Sequence, residues 1–264
     1  MRIGVFDSGV GGLLIFRSVV EAMPEYDYVY YGDTARVPYG NRSQETIYQF
    51  LEEAVAFLFA QDCSLIIVAC NTASAEALRR IQQEYLPAHF PDRRVLGVII
   101  PAAEAVAEIP SVRRVGLLAT HATVGSGAYV REIHKLRPDI EVVQNAAPLL
   151  VPLIENNEID RVEPFLREYL APLLKAEVDV VILGCTHYPL LKHQVAEITR
   201  LPIVSQDEVI PEKLRAYLGR HPEIEQVLSK QHGREFFASD ITPALSALSA
   251  AWFGDEVVFK KPPV

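Results

Sequence analysis

Two cysteines in this sequence sit in nearly the same surroundings. In SLIIVACNTAS (64–74) an aliphatic run delivers Cys70-Asn71-Thr72, and in DVVILGCTHYP (179–189) a second run delivers Cys185-Thr186-His187 before a proline. Continuous β-branched and aliphatic residues are the pattern of a strand buried on both faces of a parallel sheet. The loops beyond the carboxyl ends of such strands are where open α/β sheets bind ligands. One cysteine at a strand end is usually a small buried hydrophobe. Two at matched positions, each followed by polar residues, point to chemistry.

Two thiols facing one substrate suit the inversion of a chiral carbon. One base takes a proton from one face, and a second group, already protonated, returns a proton to the other. Cysteine does such work when its pKa lies near the operating pH. Each thiol has a helper. His187 follows Cys185 by two positions, and Asp7 ends a strand expected to lie beside that of Cys70. A carboxylate or neutral imidazole accepts a thiol proton, and an imidazolium lowers a thiol pKa. Ser8, Asn71, Thr72 and Thr186, with loop amides, supply donors for substrate carboxylates without any Lys or Arg. A small dicarboxylate fits that set, and nothing marks a PLP lysine or a metal cage. Cys63 lies in no polar constellation and reads as structural. Asp33, Tyr39 and Glu155 read equally well as turn, packing and surface residues.

The elements that position these residues follow from periodicity. Strands are expected at 2–6, 27–31, 64–69 and 95–100, the last closed by Pro101. Helices are expected at 13–23, at 44–61 with Ser43 as N-cap and Glu45 in the first turn, and at 74–85. The stretch Asp7-Ser8-Gly9-Val10-Gly11-Gly12 between the first strand and helix suggests anion binding by backbone amides. Leu14 stands where a dinucleotide fingerprint needs its last glycine, and no G-x-x-x-x-G-K occurs, so a carboxylate-sized site is the better reading. The loop GDTARVPYGNRS (32–43) is long and polar enough to cover something.

The pattern then repeats. Strands are expected at 114–119, ending in Thr120, at 141–145 and at 180–184. A helix runs through Lys135, a loop covers 147–158, and a helix covers 160–175. Gly4 to Cys70 and Gly116 to Cys185 are nearly equal intervals, so each βαβαβ unit places a cysteine after its third strand. This predicts an α/β protein of two pseudo-symmetric, doubly wound domains with mostly parallel sheets facing across a cleft. The domains are expected at 1–97 plus 206–264, and at 98–205. After a strand at 203–205 come a helix at 211–218, a short strand in FFAS, a helix at 242–253 and a strand at 256–260, a tail that returns to complete the first domain.

The totals narrow the classes further. The chain has 264 residues, half of them hydrophobic, with 25 basic and 34 acidic side chains for a net charge of −9. That size allows one large or two modest domains. No basic run marks nucleic acid as a main partner, and no apolar run is long enough to span a membrane. The start MRIGVFDSG shows no signal-peptide pattern. Three cysteines at no disulfide-framework spacing fit free thiols in a cytoplasmic setting.

FDSGVGGL, YYGDTARVPYG, ACNTASA and GCTHYPLL occur in order between residues 3 and about 204. Together they resemble the glutamate racemases, cofactor-independent isomerases that make D-glutamate for peptidoglycan. The resemblance implies that Cys70 and Cys185 are the catalytic acid-bases, with Asp7 assisting Cys70 and His187 assisting Cys185. It implies that Asp7-Ser8, Tyr39-Gly40, Asn71-Thr72 and Thr186-His187 line the glutamate site, with Asp33, Glu155 and Thr120 auxiliary. It further implies two α/β domains across a cleft, a homodimer, and no cofactor or metal. The chain departs from the pattern at GLLIFRSV, at Ile100 and Ala102, at Ala147 where many relatives carry cysteine, and in SQDEVIPEK. An aspartate or broader amino-acid racemase is the nearest alternative. A dicarboxylate-binding module with inert thiols is a second. A thiol redox enzyme is disfavoured because no C-x-x-C occurs.

Overall fold

The computed structural model describes residues 1–254 and 257–263. The first half runs β1 (Arg2–Asp7), α1 (Gly12–Ala22), β2 (Tyr28–Gly32), α2 (Gln44–Ala60), β3 (Cys63–Val68), α3 (Asn71–Glu76), α4 (Leu78–Arg80), a π-helical turn (Ile81–Tyr85), α5 (Leu86–His89) and β4 (Arg94–Gly97). The second runs α6 (Ile99–Ala107), β5 (Arg114–Ala119), α7 (His121–Ser126), α8 (Ala128–Leu136), β6 (Glu141–Ala146), α9 (Leu150–Glu155), α10 (Glu163–Lys175), β7 (Val180–Gly184), α11 (Lys192–Thr199) and β8 (Ile203–Ser205). The tail adds α12 (Gln206–Arg220), α13 (Pro222–Glu225), β9 (Arg234–Ala238), α14 (Pro243–Trp252) and β10 (Phe259–Lys260).

Two all-parallel sheets result. The first has the order β10-β9-β2-β1-β3-β4 and the second β6-β5-β7-β8. In each, the first strand of its half lies between the second and the third, and the fourth is outermost on the cysteine side. The repeated order brings Cys70 and Cys185 to equivalent edges. Asp7 and Cys70 leave adjacent strands, because β1 pairs with β3 through Phe6 and Val68.

Period-two alternation sends side chains to both faces, and both are buried. Ile3, Val5, Leu65 and Ile67 face one core with α1, while Phe6, Ile66 and Val68 face another with α2. Val181 and Leu183 of β7 belong to the same core as Val5, so one apolar cluster runs through both halves. Val115, Leu117 and Ile182 face a third core against α6 and α8. Ser43 caps α2 by accepting from Thr46 N, worth ~1 kcal/mol. No helix among the described residues is long and apolar enough to cross a membrane.

Several expectations shift. The strand expected at 95–100 stops at Gly97, and Ile99 opens α6 with Pro101 in its first turn. Proline is tolerated there because that N–H has no intrahelical partner. For the same reason the loop expected at 147–158 contains α9, with Pro152 in its first turn. The helix expected from Ser74 begins at Asn71, which makes Cys70 its N-cap. The helix expected at 211–218 begins at Gln206, and Pro211 lies inside it. Gly127, at φ 63°, divides α7 from α8 in a left-handed conformation that suits glycine. The helix expected at 160–175 starts with a 3-10 turn, Ile159–Arg161, before α10. The last strand is observed at Phe259–Lys260; of the stretch expected at 256–260, Glu256 lies outside the described residues.

Candidate active site

The segments after β1, β2, β3, β5, β6 and β7 enclose a cavity of about 280 Å³, and both Cys70 and Cys185 line it. Ser8, Tyr39, Gly40, Asn71, Thr72, Thr120, Glu155, Thr186 and His187 line it too. Among the described residues no Lys or Arg does. The cavity is of the size that takes one small molecule. A larger cavity of about 440 Å³ lies behind α3, against α6 and α12, and neither thiol reaches it.

Cys70 is held by the start of α3. Its sulfur accepts from Ala73 N at 3.4 Å and donates to Ser8 Oγ at 3.3 Å. Burial pushes the thiol up to about 12; the Asp7 charge adds to this, and the bonds from Ser8 and Ala73 oppose it. Cys70 is therefore a thiol at neutral pH. Cys185 raises it slightly further, so the two sulfurs are near enough for their charges to interact.

Cys185 has a different partner. His187 Nδ1 lies 3.7 Å from its sulfur, and His187 Nε2 lies 2.9 Å from Glu155 Oε1. Burial alone would deprotonate the ring, but the hydrogen bonds to Cys185 and Glu155 outweigh it and push His187 up to about 10. A protonated His187 therefore places a positive charge beside the Cys185 sulfur. Trp252 of α14 packs edge-on against the His187 ring at 5.7 Å between centroids.

Asp7 is fully buried and lies behind the cavity wall rather than in it. Its Oδ2 accepts from Gly9 N at 3.0 Å, so the glycine-rich turn directs an amide to the protein's own carboxylate. Burial raises the Asp7 pKa, opposed by the His187 charge and the Gly9 and Gly12 amides. Its Oδ1 has no hydrogen-bond partner. Cys70 turns to Ser8 instead, and the Asp7 charge adds to the rise in its pKa.

Asp33 is also buried behind the wall. Its Oδ2 accepts from Tyr39 Oη at 2.5 Å and from Arg36 Nε at 2.6 Å. This pins Tyr39, whose phenol is raised far above its usual range by burial and by Asp33. Gly40 faces Thr120 across the seam, and a Cβ there would lie 3.4 Å from Thr120 Cβ. Thr72 Oγ1 lies 3.0 Å from Thr120 Oγ1 and 3.4 Å from Thr123 Oγ1, which joins α3 to α7. Thr186 Oγ1 sits 3.4 Å from His187 Nδ1.

The sequence reading missed four contributors: Thr123, Tyr129, Gln206 and Trp252. Gln206 directly follows the carboxyl end of β8, the position that singled out the cysteines, and so carried a usable signal. Tyr129, Thr123 and Trp252 lie within helices and carried none.

The sequence profile of the Asp/Glu/Hydantoin racemase family matches residues 3–212. A glutamate racemase from Geobacter metallireducens is 39% identical over 259 residues, 97% of this chain and 93% of the relative. Among solved structures, glutamate racemase from Francisella tularensis in complex with D-glutamate matches with TM-score 0.87 and 33% identity over 98% of this chain and 95% of that one. A glutamate racemase isoform from Bacillus anthracis matches with TM-score 0.90 and 31% identity, covering all of this chain and 97% of the other. With two thiols lining one cavity and the family pattern spanning both halves, this chain belongs to the Asp/Glu/Hydantoin racemase family.

Proposed function

We propose that this chain interconverts L- and D-glutamate by two-base proton transfer between Cys70 and Cys185. The observation that carries the reading is one cavity lined by both thiols, each with its own partners: Cys70 bonded to Ser8 and Ala73 N, and Cys185 beside the His187–Glu155 pair. A thiolate at Cys185 takes the α-proton; an S–H bond forms as the Cα–H bond breaks, and the electron pair moves into the α-carboxylate. Cys70 then gives its proton to the opposite face, leaving a thiolate stabilised by the Ser8 hydroxyl and Ala73 N–H. In the other direction the roles exchange. His187 holds charge beside Cys185, and Asp7 acts through Cys70. The D-glutamate bound by the Francisella tularensis relative, and the hydroxyl and amide donors among the residues lining the cavity, support glutamate as substrate.

Ser8, Asn71, Thr72 and Thr186 bind its carboxylates, with Tyr39 and Gly40 closing the cavity. Asp33 fixes Tyr39, Glu155 fixes His187, and Thr120 joins the halves at Thr72. The reading takes 1–97 with 206–264 as one domain and 98–205 as the other, supported by the return of β9 and β10 to the first sheet. The family resemblance supports a cytoplasmic homodimer that supplies D-glutamate for peptidoglycan. The test is circular dichroism of purified protein with each enantiomer of glutamate and aspartate, without added PLP or metal. Decay of both glutamate signals with a flat aspartate trace is expected. Decay of aspartate alone overturns the substrate, and no decay with any of them overturns the activity.

A further inference from the structure

Asn71, Tyr129 and Gln206 come from three separate segments, α3, α8 and the first residue of α12, and meet in a buried ring of hydrogen bonds. Tyr129 Oη donates to Asn71 Oδ1 at 2.7 Å. Gln206 Nε2 donates to the same Oδ1 at 3.1 Å and to Tyr129 Oη at 2.7 Å. Of the three residues only Asn71 lines the thiol cavity. Its oxygen is thus held twice from the protein side, while its Nδ2 is buried with no hydrogen-bond partner. Held this way, the carboxamide turns its unpartnered Nδ2 away from Tyr129 and Gln206, on a residue that lines the cavity beside the Cys70 thiol.

The ring has a second possible sense. If both amides turned over, Asn71 Nδ2 and Tyr129 Oη would donate to Gln206 Oε1, and Asn71 would offer its oxygen to the cavity. An oxygen repels a carboxylate, so the sense of the ring decides whether Asn71 attracts or rejects the substrate. Neither Tyr129 nor Gln206 touches the cavity, yet Asn71 can reverse only if Gln206 turns over with it.

We infer that Tyr129 and Gln206 are positioning residues that fix the Asn71 amide with Nδ2 toward a substrate carboxylate. The inference rests on the proposed dicarboxylate substrate and deepens it. Because the three residues join α3 of the first half to α8 and α12, the donor is set only when the halves are correctly seated.

The test is steady-state kinetics of Asn71→Ala, Gln206→Glu, Tyr129→Phe and the Asn71→Ala/Gln206→Glu double variant, with thermal unfolding alongside. An ionised carboxylate at position 206 cannot donate and admits only the reversed ring. Gln206→Glu is expected to raise the glutamate KM about tenfold, as does Asn71→Ala, with a smaller change in kcat. The KM of Gln206→Glu should fall back as pH drops and the new carboxyl is protonated. Tyr129→Phe, which keeps the Gln206–Asn71 bond and the packing, should raise KM by roughly threefold. In the Asn71→Ala background Gln206→Glu should add little, since nothing is left to orient. An undiminished effect in that background overturns the inference, because the role is then merely structural. If Asn71→Ala raises KM while Gln206→Glu and Tyr129→Phe leave it unchanged, the positioning role is wrong and the carboxylate donor stands. If Asn71→Ala itself leaves KM unchanged, the assignment of Asn71 as donor falls with it.

Discussion

His187 Nε2 lies 2.9 Å from Glu155 Oε1. This contact ties α9 to the loop that carries Cys185. It fixes which ring nitrogen faces the thiol, and with the hydrogen bond to Cys185 it helps to keep the imidazole protonated. The pair works as a unit: Glu155 holds the ring, and the ring holds a charge beside the sulfur.

Replacing Glu155 by glutamine keeps the size and a hydrogen-bonding group but removes the charge. The His187 pKa should then fall from about 10 toward its ordinary value. The alkaline limb of kcat/KM should move acidward by at least about one unit. The measurement is kcat/KM between pH 7 and 11 for both proteins. Superimposed profiles would mean that Glu155 does not set the charge on His187.

Global stability should carry the same signature. The folded pKa of His187 is raised from 6.5 to about 10. The folded state therefore binds the proton more tightly, and its stabilisation is complete below pH 6.5 and lost as pH rises through 10. The amount is on the order of a few kcal/mol. Cys70, raised from 9.0 to about 12, acts in the same direction above pH 9, because the unfolded thiol ionises first. Urea midpoints should fall from pH 7 to 9.5, and His187→Gln should flatten that slope. An equal slope in the variant would place its origin elsewhere.

Gly11 is where the first half meets the Cys185 loop. A Cβ there would lie 2.5 Å from Thr186 Oγ1 and 2.6 Å from His187 Nδ1. Neither atom belongs to a flexible side-chain end, so the loop has to move. Misplacement by about 1 Å costs on the order of 100-fold in turnover. Gly11→Ala should therefore lose about that much kcat while remaining folded, as judged by circular dichroism. Near-normal turnover would show that the loop tolerates the shift.

The three cysteines should separate cleanly. Cys63 is buried in β3, away from the cavity, and burial pushes its thiol up to about 12. Cys63→Ala should cost ~1 kcal/mol of stability and leave racemisation intact. Cys70→Ser and Cys185→Ser should each lose most turnover in both directions while folding normally. Full activity in either serine variant would contradict the two-thiol assignment.

Much of this was legible in the sequence because strands buried on both faces leave an unbroken aliphatic signal. β1, which ends in Asp7, and β3, β5 and β7, the strands before Cys70, Thr120 and Cys185, fell within a residue of where the pattern put them. Ser43 was legible as a cap because a serine before an amphipathic helix has a local reason to be there. Proline misled the reading at 101, where it closes a strand by propensity but is accepted in a helix's first turn. The burial of Asp7 behind the wall was not legible, since adjacency of strands does not say which way a carboxylate turns. The partners of Asn71 were hidden for a different reason. Tyr129 and Gln206 reach it across distant segments, and only the seam between the halves brings them together.

The most direct test of the two-base account is deuterium uptake during the first few per cent of conversion in heavy water, starting from L-glutamate. The D-glutamate formed should carry one solvent deuteron at the α-carbon, because Cys70 exchanges with solvent before it donates. The remaining L-glutamate should still carry its original proton. Equal early labelling of both pools, or product that retains the substrate's own proton, would mean that one base serves both faces and would contradict the account.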